Sequence, residues 1–422
     1  MARILLSGQG GFGDLIPLFA VATTLQNRGH EVRLALPVTH HAACCTMGLS
    51  SLPVPEAGWQ THAPVDEHAM GRLVHRVLAT LVPQQLEAER DALQPWIEEA
   101  DVVIGNQLAY AAAMACKRTS KPWVYLAASP LAIPSRLDPP YWPVLHHLQR
   151  RTSSATIQRG SLQLARGATR LLMRGQPRML HQSGAWGTEH PRFEGMYSTA
   201  LNLLMASPLL VPAQSDWPNG TLATGFAWFD PPFLGGADQE EEITRFATAG
   251  DKPLVFAPGG STRVDPGAFF VESRAATLAL GRRAIIVAAK KFHAQFPPHP
   301  DILLTGYFPY ARLFSHAAAV VHSAGIGALG WAARYAVPSL LVPSEWDQFD
   351  NARRAERSGW GHTLGRKHYT AERIAQAIGA LESDQRVRHS LTQASGTLQT
   401  EDGARRAADA VEQLLQGASI SE

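Results

Sequence analysis

The sequence predicts an α/β chain built from two doubly wound, parallel-sheet domains, and three observations carry that prediction. Short apolar, β-rich runs alternate with helical patterns, the pattern of parallel β–α units. The alternation occurs twice, on either side of a stretch punctuated by Ser207-Pro208, Pro231-Pro232 and Gly235-Gly236. The 422 residues suit two or three domains at roughly 150 residues each.

Composition narrows the function classes. Apolar residues at 45% and charged residues at 18% are those of an ordinary globular protein and exclude disorder. Thirty-eight basic against 36 acidic side chains leave a net charge of +2, without the basic excess of a nucleic-acid binder. Three cysteines, Cys44, Cys45 and Cys116, cannot make a disulfide framework and point to a reducing compartment. The opening MARILLSGQGGFGD breaks its apolar run with glycine, so no signal peptide is expected. Residues 317–343 are apolar but contain His322, three glycines and Pro338. They read as a buried strand–turn–helix–strand, since a membrane span needs about 20 consecutive apolar residues. A soluble, cytoplasmic protein is expected.

In the first half the expected strands are residues 3–7, 32–36, 102–105 and 123–126. Between the first two, Leu15, Leu18, Phe19, Ala22 and Leu25 recur at helical spacing. Arg28-Gly29 ends that helix with a basic last turn and a residue that tolerates a left-handed cap. In the second half the expected strands are 254–257, 284–288, 302–304, 319–321 and 339–342, with helices near 268–280, 326–336, 348–358 and 370–383. The hinge is expected at 232–245, around the acidic run 240–242. Two such domains would face each other across a cleft, with ligands at the carboxyl ends of the strands.

The turn after the first strand holds Gly8, Gly10, Gly11 and Gly13, followed by Asp14. Its glycine register is looser than a dinucleotide fingerprint, and no carboxylate follows the second strand to hold a ribose, which disfavours redox chemistry. Asp14 reads either as a helix N-cap or as a general base for an acceptor hydroxyl. The strand at 319–321 runs into His322-Ser323-Ala324-Gly325-Ile326-Gly327-Ala328 and then a helix. A glycine turn at a helix N-terminus leaves N–H groups free for an anion, a diphosphate above all. Asp347-Gln348, in a loop after the next strand, can accept from and donate to adjacent hydroxyls, as a sugar ring requires. The neighbouring pairs His40-His41 and Cys44-Cys45 lack the ligand spacing of a zinc site, and no metal is expected.

Residues 322–360, HSAGIGALGWAARYAVPSLLVPSEWDQFDNARRAERSGW, resemble the donor-binding signature of nucleotide-sugar glycosyltransferases of the GT-B fold, family one. The opening GFGDLIPLFAVATTLQNRGHEV resembles the start of the sterol and antibiotic glucosyltransferase branch. Residues 216–226 and the HSAGIGA and DQFDN motifs are most similar to the rhamnolipid rhamnosyltransferases. The resemblance implies two facing Rossmann-like domains with an interdomain cleft. Residues 1–232 would bind the acceptor and 233–400 the nucleotide sugar, with 401–422 a C-terminal helix and tail packing back on the first domain. It implies Asp14 as catalytic base, Tyr307 stacking on a pyrimidine, and the backbone of Phe308 at the base edge. Ser261 and Thr262 would contact the diphosphate, as would the turn Gly325, Ile326, Gly327 and Ala328. Asp347 and Gln348 would bind the sugar hydroxyls. Two departures stand out: the family's phosphate-binding histidine falls at Ser323, beside His322, and its threonine or serine at the turn's end is Ala328, so the diphosphate would rest on backbone donors, on Ser323 and on the displaced His322.

The reaction so implied is an inverting, metal-independent transfer from a UDP- or dTDP-sugar, of the glucose or rhamnose class, to a hydroxyl or carboxyl of a small lipophilic acceptor. The nucleotide sugar is a co-substrate and no cofactor is called for. Phe12 and Trp142 are the acceptor-side candidates. Residues 139–188 hold no acidic side chain, while Arg150, Arg151, Arg159, Arg166, Arg170, Arg174 and Arg178 lie among apolar residues. That pattern reads as a solvated helical face or as a peripheral contact with an anionic membrane, at the inner face, through 150–178. The competing readings are a sugar-nucleotide epimerase or hydrolase of the same fold, and a catalytically silent sugar-nucleotide-binding partner protein.

Overall fold

The computed structural model describes residues 1–55, 83–141, 196–259 and 266–417, together with 154, 156, 157, 159, 160, 163, 164, 167 and 171. The chain forms two compact units, Met1–Phe229 with Asp402–Glu422, and Asp230–Glu401.

Unit 1 is built on a seven-stranded sheet in the order β3-β2-β1-β4-β5-β6-β7. Its strands are β1 (Arg3–Ser7), β2 (Glu31–Pro37), β3 (Ser50–Val54), β4 (Val102–Asn106), β5 (Trp123–Ala127), β6 (Leu201–Leu204) and β7 (Thr221–Ala223). Every pairing is parallel. Parallel strands lie between layers of helices and are buried on both faces, which is why Ile4, Leu5, Leu6, Val102, Val103 and Ile104 run as unbroken apolar strings. The edge strands β3 and β7, SSLPV and TLA, lack that signal and are missing from the sequence-based reading.

Unit 2 holds six parallel strands in the order β10-β9-β8-β11-β12-β13. They are β8 (Leu254–Ala257), β9 (Ala284–Val287), β10 (Ile302–Thr305), β11 (Ala319–His322), β12 (Ser339–Leu341) and β13 (Gly361–Thr363). The acidic run 240–242, expected in the hinge, lies instead inside the helix Ala237–Thr248. Ile243 and Ala247 anchor that helix in the core of unit 2 while its acidic face stays in water. The helix Gly403–Leu415 belongs to unit 1.

Candidate active site

In an open parallel sheet the ligand crevice opens where the strand order reverses. In unit 1 that point lies between β1 and β4, whose carboxyl ends lead to Gly8–Asp14 and to Gln107. Asp14 is the third residue of the helix Phe12–Asn27, and Gly11 is its N-cap. The carboxylate therefore closes the first turn from inside the helix rather than capping it. Its Oδ2 accepts from the Gly11 N–H at 3.2 Å, and its Oδ1 accepts from the Gln107 amide at 2.9 Å. The Gln107 carbonyl in turn accepts from the Ala128 N–H at 3.1 Å, just beyond β5. Asn106 ties the two strand ends together, donating to the Gln9 carbonyl at 2.8 Å and accepting from the Gln9 N–H at 3.3 Å.

The glycines of this loop divide by purpose. Gly10 has φ +114°, and a Cβ there would stand 2.6 Å from the Asp14 carboxylate, so glycine is required for the acid to sit where it does. A Cβ at Gly11 or Gly13 would meet nothing within 4 Å among the described residues. Among the described residues, nothing packs against the outer side of the loop at these two positions. Phe12 is half-buried, edge-on to His40 with ring centroids 5.3 Å apart; Trp142 lies outside the described residues. Behind the loop, the buried Glu89 accepts from the Gln9 amide at 3.0 Å, and burial pushes its carboxyl up to about 7. Gln107, Asn106 and Glu89 carry no sequence motif. Only the position of the first two at the end of β4, beside the reversal point, could have marked them.

The His–Cys quartet does not converge. His40 bonds the Gly10 carbonyl at 3.1 Å and His41 the Leu36 carbonyl at 3.2 Å, while Cys44 is buried and Cys45 exposed.

In unit 2 the order reverses between β8 and β11. The carboxyl end of β11 enters the turn Ser323–Gly325 and the helix Ile326–Arg334, whose N-cap is Gly325. The first helical N–H groups, those of Ile326, Gly327 and Ala328, have no intrahelical carbonyl to reach. A Cβ at Gly325 or Gly327 would meet nothing within 4 Å among the described residues, and Gly325 has an ordinary φ of −60°. Neither packing nor backbone conformation demands glycine at these two places. What glycine does there is leave the N–H groups uncovered.

His322 closes β11 fully buried, and burial pushes its ring down to about 3, leaving it neutral. Its Nδ1 accepts from the Ala324 N–H at 3.2 Å, which puts the ring proton on Nε2, an atom without a partner among the described residues. The ring thus braces the turn from behind. Ser323 is 7% exposed. A Cβ at Gly259, at the end of β8, would lie 3.5 Å from its hydroxyl and 3.8 Å from that of Tyr310. Ser261 and Thr262 lie outside the described residues.

Tyr307 is 39% exposed, its ring 5.7 Å from that of Tyr310. Phe308 is buried beneath the Arg312 guanidinium, which lies 4.7 Å above its ring. Asp347 is the N-cap of the helix Gln348–Ser358. The Gln348 carbonyl is engaged with Ser344 and Glu345, accepting from their N–H groups at 2.9 and 3.1 Å, which leaves its amide nitrogen to donate. Asn351, buried in that helix, donates to the Asp347 carboxylate at 2.8 Å and to the Ala324 carbonyl at 3.0 Å. Asn351 thus joins the turn, through Ala324, to the Asp347 carboxylate in unit 2. Asn351 lies within the DQFDN motif, yet its side-chain partners appear only in the folded chain.

Comparison with known proteins agrees with this fold. Residues 283–415 match the family described as erythromycin biosynthesis protein CIII-like, C-terminal domain. The chain is 28% identical over 376 residues to O-mycaminosyltylonolide 6-deoxyallosyltransferase of Streptomyces fradiae, covering 85% of this chain and 84% of that one. It is 23% identical over 412 residues to a sterol 3-beta-glucosyltransferase of Arabidopsis thaliana, covering 93% of this chain and 62% of that one. Among solved structures it is similar to the glycotransferase of kitacinnamycin, with a TM-score of 0.74 at 19% identity over 98% of this chain and 99% of that one. It is also similar to the spinosyn rhamnosyltransferase SpnG complexed with thymidine diphosphate, with a TM-score of 0.66 at 18% identity over 98% and 99%. Two parallel α/β units with this strand order are the GT-B fold. By fold and by sequence together, the chain is similar to the family-one GT-B glycosyltransferases of the antibiotic and sterol type.

Proposed function

We propose that the chain transfers a hexose from a dTDP- or UDP-sugar to the hydroxyl of a small lipophilic acceptor, inverting the anomeric centre. Asp14 takes the acceptor proton as the oxygen attacks the anomeric carbon. The bond from that carbon to the diphosphate breaks, and its electron pair leaves with the diphosphate. The N–H groups of Ile326, Gly327 and Ala328, with the Ser323 hydroxyl, receive the charge that builds there; one such preorganised donor contributes roughly 2.7–4 kcal/mol in electrostatic sites of this kind. Asp347 and the Gln348 amide hold the sugar hydroxyls, and Tyr307 offers its exposed ring to the pyrimidine. No step in this scheme calls for a metal ion. SpnG holds thymidine diphosphate, and that likeness favours a dTDP donor here.

The observation that carries the reading is Asp14 at the carboxyl end of β1, its oxygens fixed by Gly11 and Gln107. A side chain serving only to start a helix has no need of the second restraint. The test is donor turnover with UDP-glucose and dTDP-rhamnose, each with and without a hydroxylated lipophilic acceptor. Transfer is expected only with acceptor, and Asp14→Asn should bind donor but lose transfer; full activity in that variant would remove Asp14 from its role. Donor consumption without acceptor would favour hydrolysis.

The acceptor side also supports a peripheral contact with an anionic membrane. Ile157, Leu164 and Leu171 are 50%, 71% and 62% exposed, in a stretch without acidic residues. Among the described residues, no helix is long and apolar enough to cross a membrane. Of the seven arginines in that stretch only Arg159 lies among the described residues. Charge reversal at Arg166, Arg170 and Arg174 should weaken binding to anionic vesicles, and unchanged binding would remove the contact.

A further inference from the structure

We infer that Asn351 is a positioning residue coupling the diphosphate turn to the sugar-binding carboxylate, so that the two halves of the donor are recognised as a unit. The inference rests on the glycosyl-transfer reading and adds to it a residue that itself touches no donor atom. One side-chain nitrogen makes both contacts, donating to Asp347 Oδ2 at 2.8 Å and to the Ala324 carbonyl at 3.0 Å.

Both partners need an external hold. Ala324 sits at φ +63° without being glycine, a left-handed conformation that persists only where its surroundings enforce it. On one side the His322 ring accepts from its N–H; on the other Asn351 donates to its carbonyl. Asp347 is an N-cap residue whose side chain makes no capping bond to its own helix, so its direction depends on what else binds it. Asn351 meets both needs from a fully buried position, while its own Oδ1 has no partner among the described residues. A leucine of similar size would remove that unpaired acceptor. What a leucine lacks is the pair of N–H donors, and these are what asparagine contributes here. Aspartate, equally isosteric, would set two carboxylates face to face.

The test uses the full chain and calorimetric titration with UDP, dTDP, UDP-glucose and dTDP-rhamnose. The ratio of affinities, nucleotide sugar over nucleoside diphosphate, isolates the sugar's share of binding. Asn351→Leu keeps the volume but leaves the buried Ala324 carbonyl without this donor, so the chain should stay folded with a melting temperature lower by several degrees. Nucleoside diphosphate affinity should fall about tenfold, the scale of a lost hydrogen bond to a fixed or charged partner, and the sugar's share should fall to that of Asp347→Ala. Adding Asn351→Leu to Asp347→Ala should cost the sugar's share nothing more, since the two act through one carboxylate. Asn351→Ser is measured in parallel, so that a folding defect in one variant leaves the other to decide. Unchanged affinities in either folded variant, or losses that add in the double variant, would overturn the role of Asn351 while leaving the transfer reading intact. If the unaltered chain binds no nucleoside diphosphate, the transfer reading falls and this inference with it.

Discussion

Asp14 is held by a glutamine, and an amide can orient a carboxylate but cannot relay its proton onward. The Gln107 bridge from Asp14 to Ala128 therefore serves aim rather than transfer. Behind the same loop the chain keeps a different kind of acid. Glu89 is 4% exposed, and burial lifts its carboxyl from 4.5 to about 7, with the Gln9 amide pulling the other way. The folded chain thus holds this proton more tightly than the unfolded chain. Below about pH 4 both states are protonated and the group is neutral to stability. As pH rises towards 7 the unfolded state ionises freely while the folded state resists, and stability falls, by ~3 kcal/mol at about 1.4 kcal/mol per unit of displacement. Glu89→Gln keeps an acceptor for Gln9 and removes the titration. Its urea midpoint should match that of the unaltered chain at about pH 4 and exceed it at about pH 8. Equal differences at both pH values would show that the carboxyl is not protonated in the fold.

At the scale of elements, the turn before the helix Ile326–Arg334 can be tested one N–H at a time. Proline is tolerated at the first position of a helix, where it removes an N–H that has no intrahelical partner. Ile326 is that position, and Gly325 before it has φ −60° and ψ 139°, the extended conformation that a following proline requires. Ile326→Pro should leave the melting temperature within a few degrees of the unaltered chain and lower kcat by about 10²–10³, the effect of losing one oxyanion-type donor. An unchanged kcat would show that the Ile326 N–H faces no developing charge. The same element shows how far the sequence could be read. Its strand, glycine turn and helix were legible because buried parallel strands are apolar strings and an open turn needs glycine. The inner strands were legible for the same reason, except β6, LNLL, whose buried Asn202 interrupts the apolar run. The edge strand β13, GHT, was not, because one side of an edge faces water and its composition is that of a loop. Asp14, the turn and the Asp347-Gln348 pair stood out through motif and resemblance. Gln107, Glu89 and the contacts of Asn351 did not. Gln107 and Asp14 are 93 positions apart, and Asn351 and Ala324 are 27 apart, and no local pattern encodes meetings at such distances.

At the scale of the whole molecule, unit 1 is completed by residues from the far end of the chain. The helix Gly403–Leu415 buries Ala404, Ala407, Ala408 and Val411, and its polar side meets Arg28 and His30. Arg28 reaches Glu412 at 2.6 Å and Asp409 at 2.8 Å, and His30 reaches Glu412 at 2.9 Å. These groups are part-exposed, and ion pairs in water contribute about 0–1 kcal/mol each, so packing must decide whether the helix docks. The tightest point is its first residue. The Gly403 N–H donates to the Phe226 carbonyl at 3.1 Å, and a Cβ at 403 would stand 2.3 Å from the Gly225 carbonyl oxygen and 2.6 Å from that of Phe226. Those are backbone atoms, which cannot turn aside as a side-chain tip can. Gly403→Ala should therefore destabilise unit 1 by about 1–3 kcal/mol through overpacking, against about 0–1 kcal/mol for each ion pair lost in Arg28→Ala. At roughly 2–4 °C per kcal/mol for a domain of this size, the melting temperature of unit 1 should drop by several degrees in the first variant and less in the second. Nucleoside diphosphate binding, which the proposed reading assigns to unit 2, should be preserved below that transition in both. A Gly403→Ala chain that melts with the unaltered protein would mean that the helix docks through its charges and not through its close backbone approach.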